Sequence, residues 1–180
     1  MQRFVIALAA LALTLVTARL GWWQLNRAAQ KQALQTVIDQ RANAEPLRGA
    51  AMLPANSAEV DAQLHRPVSL AGLWLSEHSI WLDNRQMNGH PGFFVLTPLQ
   101  LDDGSAVLVQ RGWQPRNFQD RAQIAPVPTP QGLVAMVGRI APGPARLYQF
   151  EGAASGRIRQ NIDLAAYATE TRLRLRPFTV

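Results

Sequence analysis

Two arginines in strongly apolar surroundings are the residues whose chemistry stands out first in this sequence. Arg85 lies in LDNRQMNGHPGFFVLTPL, and Arg111 lies in VLVQRGWQP with Trp113 two positions later. A guanidinium presents five N–H donors in a rigid fork, so it binds carboxylates, phosphates or backbone carbonyls. We favour arginines that close a sheet through ion pairs and backbone carbonyls. The alternative is a clamp for an anion such as a propionate.

The sequence offers no arrangement typical of catalysis or metal binding. The histidines His65, His78 and His90 lack partners at metal-ligand spacing, and we expect each to lie at the surface. Asp102-Asp103-Gly104 is explained more simply as a hairpin turn than as a cation site. A glycine-rich phosphate loop, a nucleophile elbow and paired carboxylates are missing as well. We therefore predict that the protein is not an enzyme and has no catalytic residues and no metal site.

The composition narrows the class of partner. The chain has 18 Lys and Arg residues against 12 Asp and Glu residues, and it has no cysteine, which excludes disulfides and thiol catalysis. The arginines are scattered singly, whereas a nucleic-acid groove requires a concentrated basic patch. We therefore expect no nucleic acid, and the positive charge fits anionic lipid or an acidic partner better.

The first 23 residues predict a membrane-spanning anchor. Residues 4 to 23 form an almost uninterrupted apolar run of 20 residues, about 30 Å at 1.5 Å per residue, which is enough to cross the hydrocarbon core. Trp22 and Trp23 close the run, and indoles are enriched at the membrane interface. The alternative is a signal peptide that is cleaved after Ala18, because Val16-Thr17-Ala18 has the small residues of a cleavage site. We favour the anchor.

Residues 24 to 41 predict a juxtamembrane helix that continues the anchor. Trp23, Arg27 and Lys31 recur at every fourth position and therefore share one helical face. We call Arg27 and Lys31 the basic stripe. It is either a solvated face next to a membrane or a docking surface for lipid phosphates or a membrane partner. Residues 42 to 60 show no sustained period and predict a loop or broken helix.

From Arg66 onward the period changes to two, which predicts a mostly antiparallel β domain over residues 42–180. Asn88-Gly89 and Asp103-Gly104 predict two-residue type I′ hairpin turns. Asp163 predicts the N-cap of a short helix, and the alternating tail after it predicts a last strand. Both faces of the central hairpins carry apolar residues, so we expect a small barrel or a meander covered by helices. The fold class is therefore α+β, with an N-terminal transmembrane helix.

Two-residue loops would place particular residues opposite one another. They set Trp81, Leu96 and Arg111 in one row across three strands. They also make Asp83 a diagonal neighbour of Arg111, with which it would form an ion pair. We expect this row on one face of the sheet.

Four blocks, in order, resemble the Surfeit locus protein 1 family of cytochrome c oxidase assembly factors. They are LGWWQLNRAAQK, LDNRQMNGHPGFFVLTPL, VLVQRGWQP and VGRI. The chain looks like a bacterial-type member. The residues that carry the resemblance, and that are our candidates for partner binding, are Trp23, Gln24, Arg27, Lys31, Asn84, Arg85, Gly92, Thr97, Pro98, Arg111, Gly112 and Trp113.

The resemblance implies a function that the residues alone do not. It implies a membrane-anchored factor of the bacterial inner membrane that assists delivery or insertion of haem a into oxidase subunit I, without catalysis of its own. Its N-terminus would lie in the cytoplasm and its main domain in the periplasm, and its partners would be subunit I, other assembly factors and the lipid bilayer. The alternative function is a secreted or periplasmic β-rich ligand-binding module released by signal-peptide cleavage.

The resemblance also implies a second transmembrane helix after the β domain, with a histidine associated with haem binding. The sequence ends at Val180 without a second apolar span. We therefore expect a version that lacks the C-terminal helix and binds haem weakly or not at all. Haem a is implied as a cofactor by the resemblance only, and the residues present support none.

Overall fold

Two compact units make up the chain, Met1–Gln40 and Arg41–Val180. The computed structural model describes residues 1–117, 119, 123–148 and 156–180. The α+β class predicted from the sequence is confirmed, because one long helix is followed by an eight-stranded mixed sheet.

Helix α1 (Gln2–Ala42) is continuous over 41 residues and shows no break at Ala18 or Trp23. Its most apolar window has a mean hydropathy of 2.1, and among the described residues it is the one helix long and apolar enough to cross a membrane. The hydroxyls of Thr14 and Thr17 donate to helix carbonyls one turn earlier, at 2.9 and 3.0 Å. The two hydroxyls of the apolar segment are therefore satisfied within the helix. The predicted boundary between anchor and juxtamembrane helix at residue 23 stays a prediction.

In the part of the second unit that the structure describes there are eight strands and two short α-helices. Helix α2 (Ser57–Gln63) has Asn56 as its N-cap, and the Asn56 side chain accepts a hydrogen bond from the Glu59 N–H. Helix α3 (Leu164–Thr171) has Asp163 as its N-cap, as predicted. The Asp163 carboxylate accepts hydrogen bonds from two backbone N–H groups. The strands are β1 (Leu47–Arg48), β2 (Pro67–Trp74), β3 (Ile80–Met87), β4 (His90–Gln100), β5 (Ala106–Pro115), β6 (Leu133–Arg139), β7 (Ile158–Arg159) and β8 (Leu175–Thr179).

The strands close into a small barrel-like sheet. Long antiparallel ladders join β6 to β2, β3 to β4 and β4 to β5, and a short one joins β2 to β4. Strand β8 pairs parallel with β5, and a bridge between Ala141 and Thr179 connects it to the chain just after β6. Two further parallel pairs, β1 with β2 and β3 with β7, extend the sheet.

Apolar side chains are buried on both faces of the β3–β4–β5 meander, as the sequence predicts. One cluster fills the barrel interior, and its fully buried members include Val68, Leu99, Val107, Ile140 and Phe178. A second cluster packs under α3 and contains Ile80, Leu82, Leu96, Leu108, Ile162 and Tyr167. Because each face has its own core, the meander is covered on both sides.

One of the two predicted hairpin turns is confirmed and the other is wrong. Asn88 and Gly89 both have positive φ, 52° and 79°, and Met87 pairs with His90, as a type I′ turn requires. Around Asp103 the loop has three residues, because the Leu101 N–H donates to the Ser105 carbonyl. Gly104 takes the left-handed position at the end of that loop, with φ 75°.

A β-bulge in β3 and the three-residue loop between β4 and β5 overturn the predicted row of Trp81, Leu96 and Arg111. In β3 the pairing shifts between Leu82 and Arg85, so that Trp81 lies opposite Val95 instead of Leu96. In β5 the three-residue loop places Gln110 opposite Leu96, and Arg111 is the extra residue of a bulge between Gln110 and Gly112. Leu96 faces the cluster under α3, on the opposite face from Trp81. A bulge adds one residue to one strand, so each shifts the register by one position.

Candidate functional site

Trp113, Gly92 and Arg85 of the motif set form one cluster on the meander. The Trp113 indole N–H donates to the Arg85 carbonyl at 2.8 Å. The indole lies directly over Gly92, where an added Cβ would stand 2.4 Å from a ring carbon and 2.2 Å from the Gln114 carbonyl. Any side chain at Gly92 would therefore displace the indole or the backbone. The three motif residues are brought together by packing, although they belong to three different strands.

The Arg85 guanidinium connects β3 to two distant segments of the chain. Its two terminal nitrogens donate to the carbonyls of Ala145 and Gln160, at 2.8 and 3.0 Å. The guanidinium also lies 5.9 Å from the Phe94 ring centre. The residue is only 6% exposed, and burial lowers the pKa of its guanidinium. The contacts agree with the interpretation favoured from the sequence, in which the arginine closes the fold through backbone carbonyls.

Arg111 holds the segment after the central strands against the sheet. Its guanidinium donates to the Thr129 hydroxyl at 2.7 Å and to the Pro128 carbonyl at 2.6 Å, and it stacks 4.5 Å above the Trp74 ring. Burial again lowers the pKa of the guanidinium. Its position as the extra residue of the bulge, followed by Gly112 with φ 137°, directs the side chain toward that segment.

The remaining motif residues of the sheet have local roles. Asn84 has φ 60° in the bulge of β3, a conformation that asparagine tolerates better than most residues. The Thr97 hydroxyl is buried and is 2.8 Å from the Ser79 hydroxyl. Pro98 is fully buried, and its carbonyl accepts from the Leu75 N–H at 3.0 Å. These contacts order the backbone of the meander.

The helix motif residues lie in the other compact unit. Trp23, Gln24, Arg27 and Lys31 are all exposed on α1. Arg27 lies 5.3 Å from the centre of the Trp23 ring, a cation–π distance. The basic stripe is therefore accessible on the first unit, in contrast to Arg85, which is buried, and Arg111, which is half-buried.

Sequence reasoning missed several charged residues that organise the domain. The ion pair expected between Asp83 and Arg111 is wrong, because Asp83 pairs with Arg116. Arg159, which is 6% exposed, donates to both carboxylate oxygens of Glu170 at 2.9 and 2.8 Å, and this hydrogen bonding lowers the pKa of Glu170. In the sequence Arg159 lies in the segment RIRQNI, and that segment does not reveal that Glu170 is the partner of the arginine.

A groove beside Trp81 is the most ligand-like concavity near the motif residues. Trp81 is buried, donates to the Gln114 side chain at 3.0 Å and has the exposed Arg157 guanidinium 4.8 Å from its ring centre. The groove encloses about 480 Å³, and its walls include Ile124 and Thr129. Its chemistry suits an apolar or aromatic group with a polar end, because an indole, hydroxyls, the Arg157 guanidinium and the Glu77 carboxylate line it.

The histidines lie in three separate places. His65 precedes β2, His78 lies in the 3-10 turn Ser76–His78, and His90 begins β4 at the hairpin. His65 and His78 are half-buried, and His90 is exposed as expected. Among the described residues, no group of three or more His, Asp or Glu side chains could hold a metal ion.

Together the two units define an α+β protein with one candidate membrane-spanning helix and a small barrel held by buried arginines. The model of the SURF1 family matches residues 11–180. The chain belongs to the SURF1 family. The match extends the resemblance of the four motif blocks to nearly the whole chain.

Curated relatives from eukaryotes and bacteria resemble the chain at moderate identity. Surfeit locus protein 1 of Arabidopsis thaliana is 34% identical over 118 residues, which cover 60% of this chain and 33% of the relative. Cytochrome oxidase assembly protein SHY1 of Saccharomyces cerevisiae is 31% identical over 103 residues, 57% of this chain and 26% of the relative. A SURF1-like protein of Rickettsia felis is 31% identical over 108 residues, which cover 58% of this chain and 42% of the relative. The chain therefore spans between about a quarter and under a half of the length of these relatives.

Proposed function

We propose that the chain is a membrane-anchored assembly factor for haem-copper cytochrome c oxidase that acts by contact and not by catalysis. The observation that carries this proposal is the family match over residues 11–180, together with a yeast relative named as a cytochrome oxidase assembly protein. The geometry agrees with it, because Arg85 and Arg111 bind the protein's own backbone. The exposed basic stripe is the charged part of the motif set that is fully accessible to a partner.

Helix α1 would be the anchor in this proposal. Its length and its mean hydropathy of 2.1 support a membrane span. We place the N-terminus in the cytoplasm and the β domain in the periplasm of a bacterial inner membrane. The basic stripe would then lie about one to two turns beyond the interfacial Trp23, close to anionic headgroups or to a membrane-embedded partner.

The assisted step would be the delivery or insertion of haem a into oxidase subunit I. Haem iron is commonly held by an axial histidine in an apolar pocket. The described residues do not fit such a site, because the Trp81 groove contains no histidine and the three histidines lie in separate elements. We therefore propose that these residues contribute protein contacts and that no haem ligand comes from them.

The test is recovery of oxidase subunits with the full chain. The tagged protein is expressed in a bacterium that makes a haem a oxidase, and membranes are washed with carbonate before solubilisation and capture. We expect the protein in the washed membranes, with subunit I or another assembly factor in the captured material and less than stoichiometric haem a. Recovery in the soluble fraction would contradict the anchor. A washed-membrane protein that captures no oxidase component would contradict the assembly role alone.

A further inference from the structure

Arg19 is the one charged residue inside the apolar run of residues 4 to 23 on helix α1. It comes four residues before Trp23, which closes the run. At 1.5 Å per residue its Cα would lie about 6 Å below Trp23 in a bilayer, within the hydrocarbon core. A charge at this depth is costly unless it has a partner or reaches water. The position of Arg19 therefore raises the question of what neutralises it.

Helix α1 supplies no acidic partner near Arg19. The first acidic residue of the chain is Asp39, which comes 20 residues later on α1, about 30 Å at 1.5 Å per residue. The Cα–Cβ bond of a helical residue tilts toward the helix N-terminus, which for Arg19 is the direction of the bilayer centre. The guanidinium therefore requires an anion that comes to it from outside the helix.

The side chains around Arg19 form a recess on one face of α1, which we call the Arg19 recess. Trp22, Trp23 and Asn26 follow Arg19 at i+3, i+4 and i+7, the positions that share a helical face. The two indoles are 69% and 52% exposed. The recess encloses about 560 Å³ and is lined by Val16, Arg19, Leu20, Trp22, Trp23 and Asn26. It therefore combines an apolar end, one cation, two indoles and an amide.

We propose that the Arg19 recess binds one anionic phospholipid, an inference that rests on the anchor role proposed above for α1. The Arg19 guanidinium would donate to two oxygens of the lipid phosphate, a pairing that suits its planar fork. The Asn26 amide lies about 10 Å further along the helix axis, at the depth of the polar end of the headgroup. Trp22 and Trp23 would pack against the upper part of an acyl chain, because indoles prefer this depth.

Charge complementarity selects an anionic lipid over a zwitterionic one. A zwitterionic headgroup carries its own ammonium group, which competes with Arg19 for the phosphate and is repelled by it. The competing occupant is a carboxylate from a membrane-embedded protein. Such a carboxylate would itself be costly to place at this depth, whereas a bilayer surrounds α1 with phosphates. The lipid is therefore the favoured partner of Arg19.

The Arg19 recess differs from the basic stripe in depth. Arg27 and Lys31 lie one to two turns beyond Trp23, where salt screens their attraction for anionic lipid. Arg19 lies below Trp23, and charges that are removed from water are screened much less. The preference of Arg19 for an anionic lipid should therefore persist in 1 M salt, where the Debye length is about 3 Å.

Quenching of tryptophan fluorescence by brominated lipids tests the recess, because two indoles line it. The full chain is reconstituted in vesicles that contain equal amounts of phosphatidylglycerol and phosphatidylcholine. The bromine is on the acyl chains of the first lipid in one preparation and of the second lipid in the other, so charge and composition are identical. A control chain with Trp22→Phe and Trp23→Phe gives the contribution of Trp74, Trp81 and Trp113, which is subtracted.

We expect brominated phosphatidylglycerol to quench the two indoles at least twofold more than brominated phosphatidylcholine, in low salt and in 1 M salt. Arg19→Gln should remove this excess. The matched control Arg3→Gln removes the same charge at the other end of the apolar run and should keep the excess. An excess that survives Arg19→Gln, or that Arg3→Gln removes equally, would overturn the proposal.

Two further outcomes would assign the lipid preference or Arg19 elsewhere and would also overturn the proposal. An excess that disappears in 1 M salt would belong to the basic stripe. Equal quenching by the two lipids in the parent chain would leave Arg19 to a carboxylate of a protein partner. Flotation of the vesicles after a carbonate wash measures anchoring separately. A chain that does not float contradicts the anchor and the lipid site together, whereas a floating chain without lipid preference contradicts the lipid site alone.

Discussion

The buried arginines of the β domain and the basic stripe of helix α1 use the same kind of side chain in opposite ways. Arg85 is 6% exposed and directs two guanidinium nitrogens to carbonyls of its own chain. Arg27 and Lys31 are exposed on α1, where Arg27 contacts the ring of Trp23. The difference teaches that one set of motif residues divides into a part that holds the fold and a part that remains accessible to partners.

Of the substitutions considered, Gly92→Val should have the largest effect on the stability of the β domain. A Cβ at Gly92 would stand 2.2 Å from the Gln114 carbonyl and 2.4 Å from the Trp113 ring. Because a backbone carbonyl is one of the two obstacles, we expect a loss of at least about 3 kcal/mol in the free energy of unfolding, or no folded protein. Thermal unfolding followed by near-UV circular dichroism measures it.

Gly143→Ala is the matched control for Gly92→Val. A Cβ at Gly143 would meet only a side-chain carbon of Leu164, at an ordinary 3.9 Å. A melting temperature that falls as much for this control as for Gly92→Val would show that the close packing of Trp113 on Gly92 has no special importance.

Features that neighbouring residues determine could be predicted from the sequence, whereas the strand register could not. The type I′ turn at Asn88-Gly89 and the cap at Asp163 are decided by neighbouring residues, and both predictions are confirmed. The predicted register failed for two reasons: a bulge at Asn84 adds one residue to β3, and the loop between β4 and β5 has three residues instead of two. A second bulge, at Arg111, moves the pairing of β5 back by one position. An Asn and a Gly within strands were the available signals for those bulges.

The partners of the buried arginines were harder to predict. The carbonyls that bind Arg85 belong to Ala145 and Gln160, which are 60 and 75 residues away along the chain. Carbonyl acceptors occur at every residue, so the sequence carries no mark of them. The shared face of the basic stripe, in contrast, follows from its helical spacing.

Arg85→Met should have the next largest effect. It keeps much of the apolar stem but leaves the carbonyls of Ala145 and Gln160 without their charged donor. Hydrogen bonds to charged groups contribute about 1.5–3 kcal/mol each, so we expect a loss of about 3 kcal/mol in the free energy of unfolding. Denaturant titration measures this loss. The exposed Arg48→Met serves as the control, and an equal loss in both variants would argue against the buried clamp.

The loss of stability at alkaline pH tests the packing beneath α3. Burial raises the pKa of Tyr167 to about 12, and its hydroxyl donates to the His78 carbonyl. The unfolded chain loses this proton near pH 10, whereas the folded chain keeps it, so stability should fall as the pH rises from about 10 to 12. In Tyr167→Phe that part of the decline should be absent. A parallel pH profile for both proteins, in chemical denaturation, would contradict the assignment.

A double-mutant cycle tests the observed strand register, and its expected energy is smaller than the losses above. Asp83 pairs with Arg116, so alanine substitutions at these two positions should be non-additive by about 0.5–1 kcal/mol. Asp83 and Arg111 should show additive losses, because the bulges separate them. Coupling between Asp83 and Arg111 that exceeds the coupling between Asp83 and Arg116 would restore the register predicted from the sequence.

Combined substitution of the basic stripe, Arg27→Ser with Lys31→Ser, should have the smallest effect on stability and a clear effect on partner binding. Both side chains are exposed, so we expect the melting temperature of the β domain to stay within 1 °C of the parent, about the effect of 0.2 kcal/mol. Each exposed juxtamembrane charge contributes about 1 kcal/mol toward anionic lipid, so recovery of a membrane partner should fall measurably.

The most direct measurement is therefore quantitative capture of oxidase subunits from membranes that contain either the parent chain or the Arg27→Ser, Lys31→Ser variant. The account predicts equal amounts of folded, membrane-bound protein in the two samples and several-fold less oxidase subunit with the variant at low salt. Equal recovery of oxidase subunits with both proteins would contradict the claim that the basic stripe makes the contacts while the sheet arginines hold the fold.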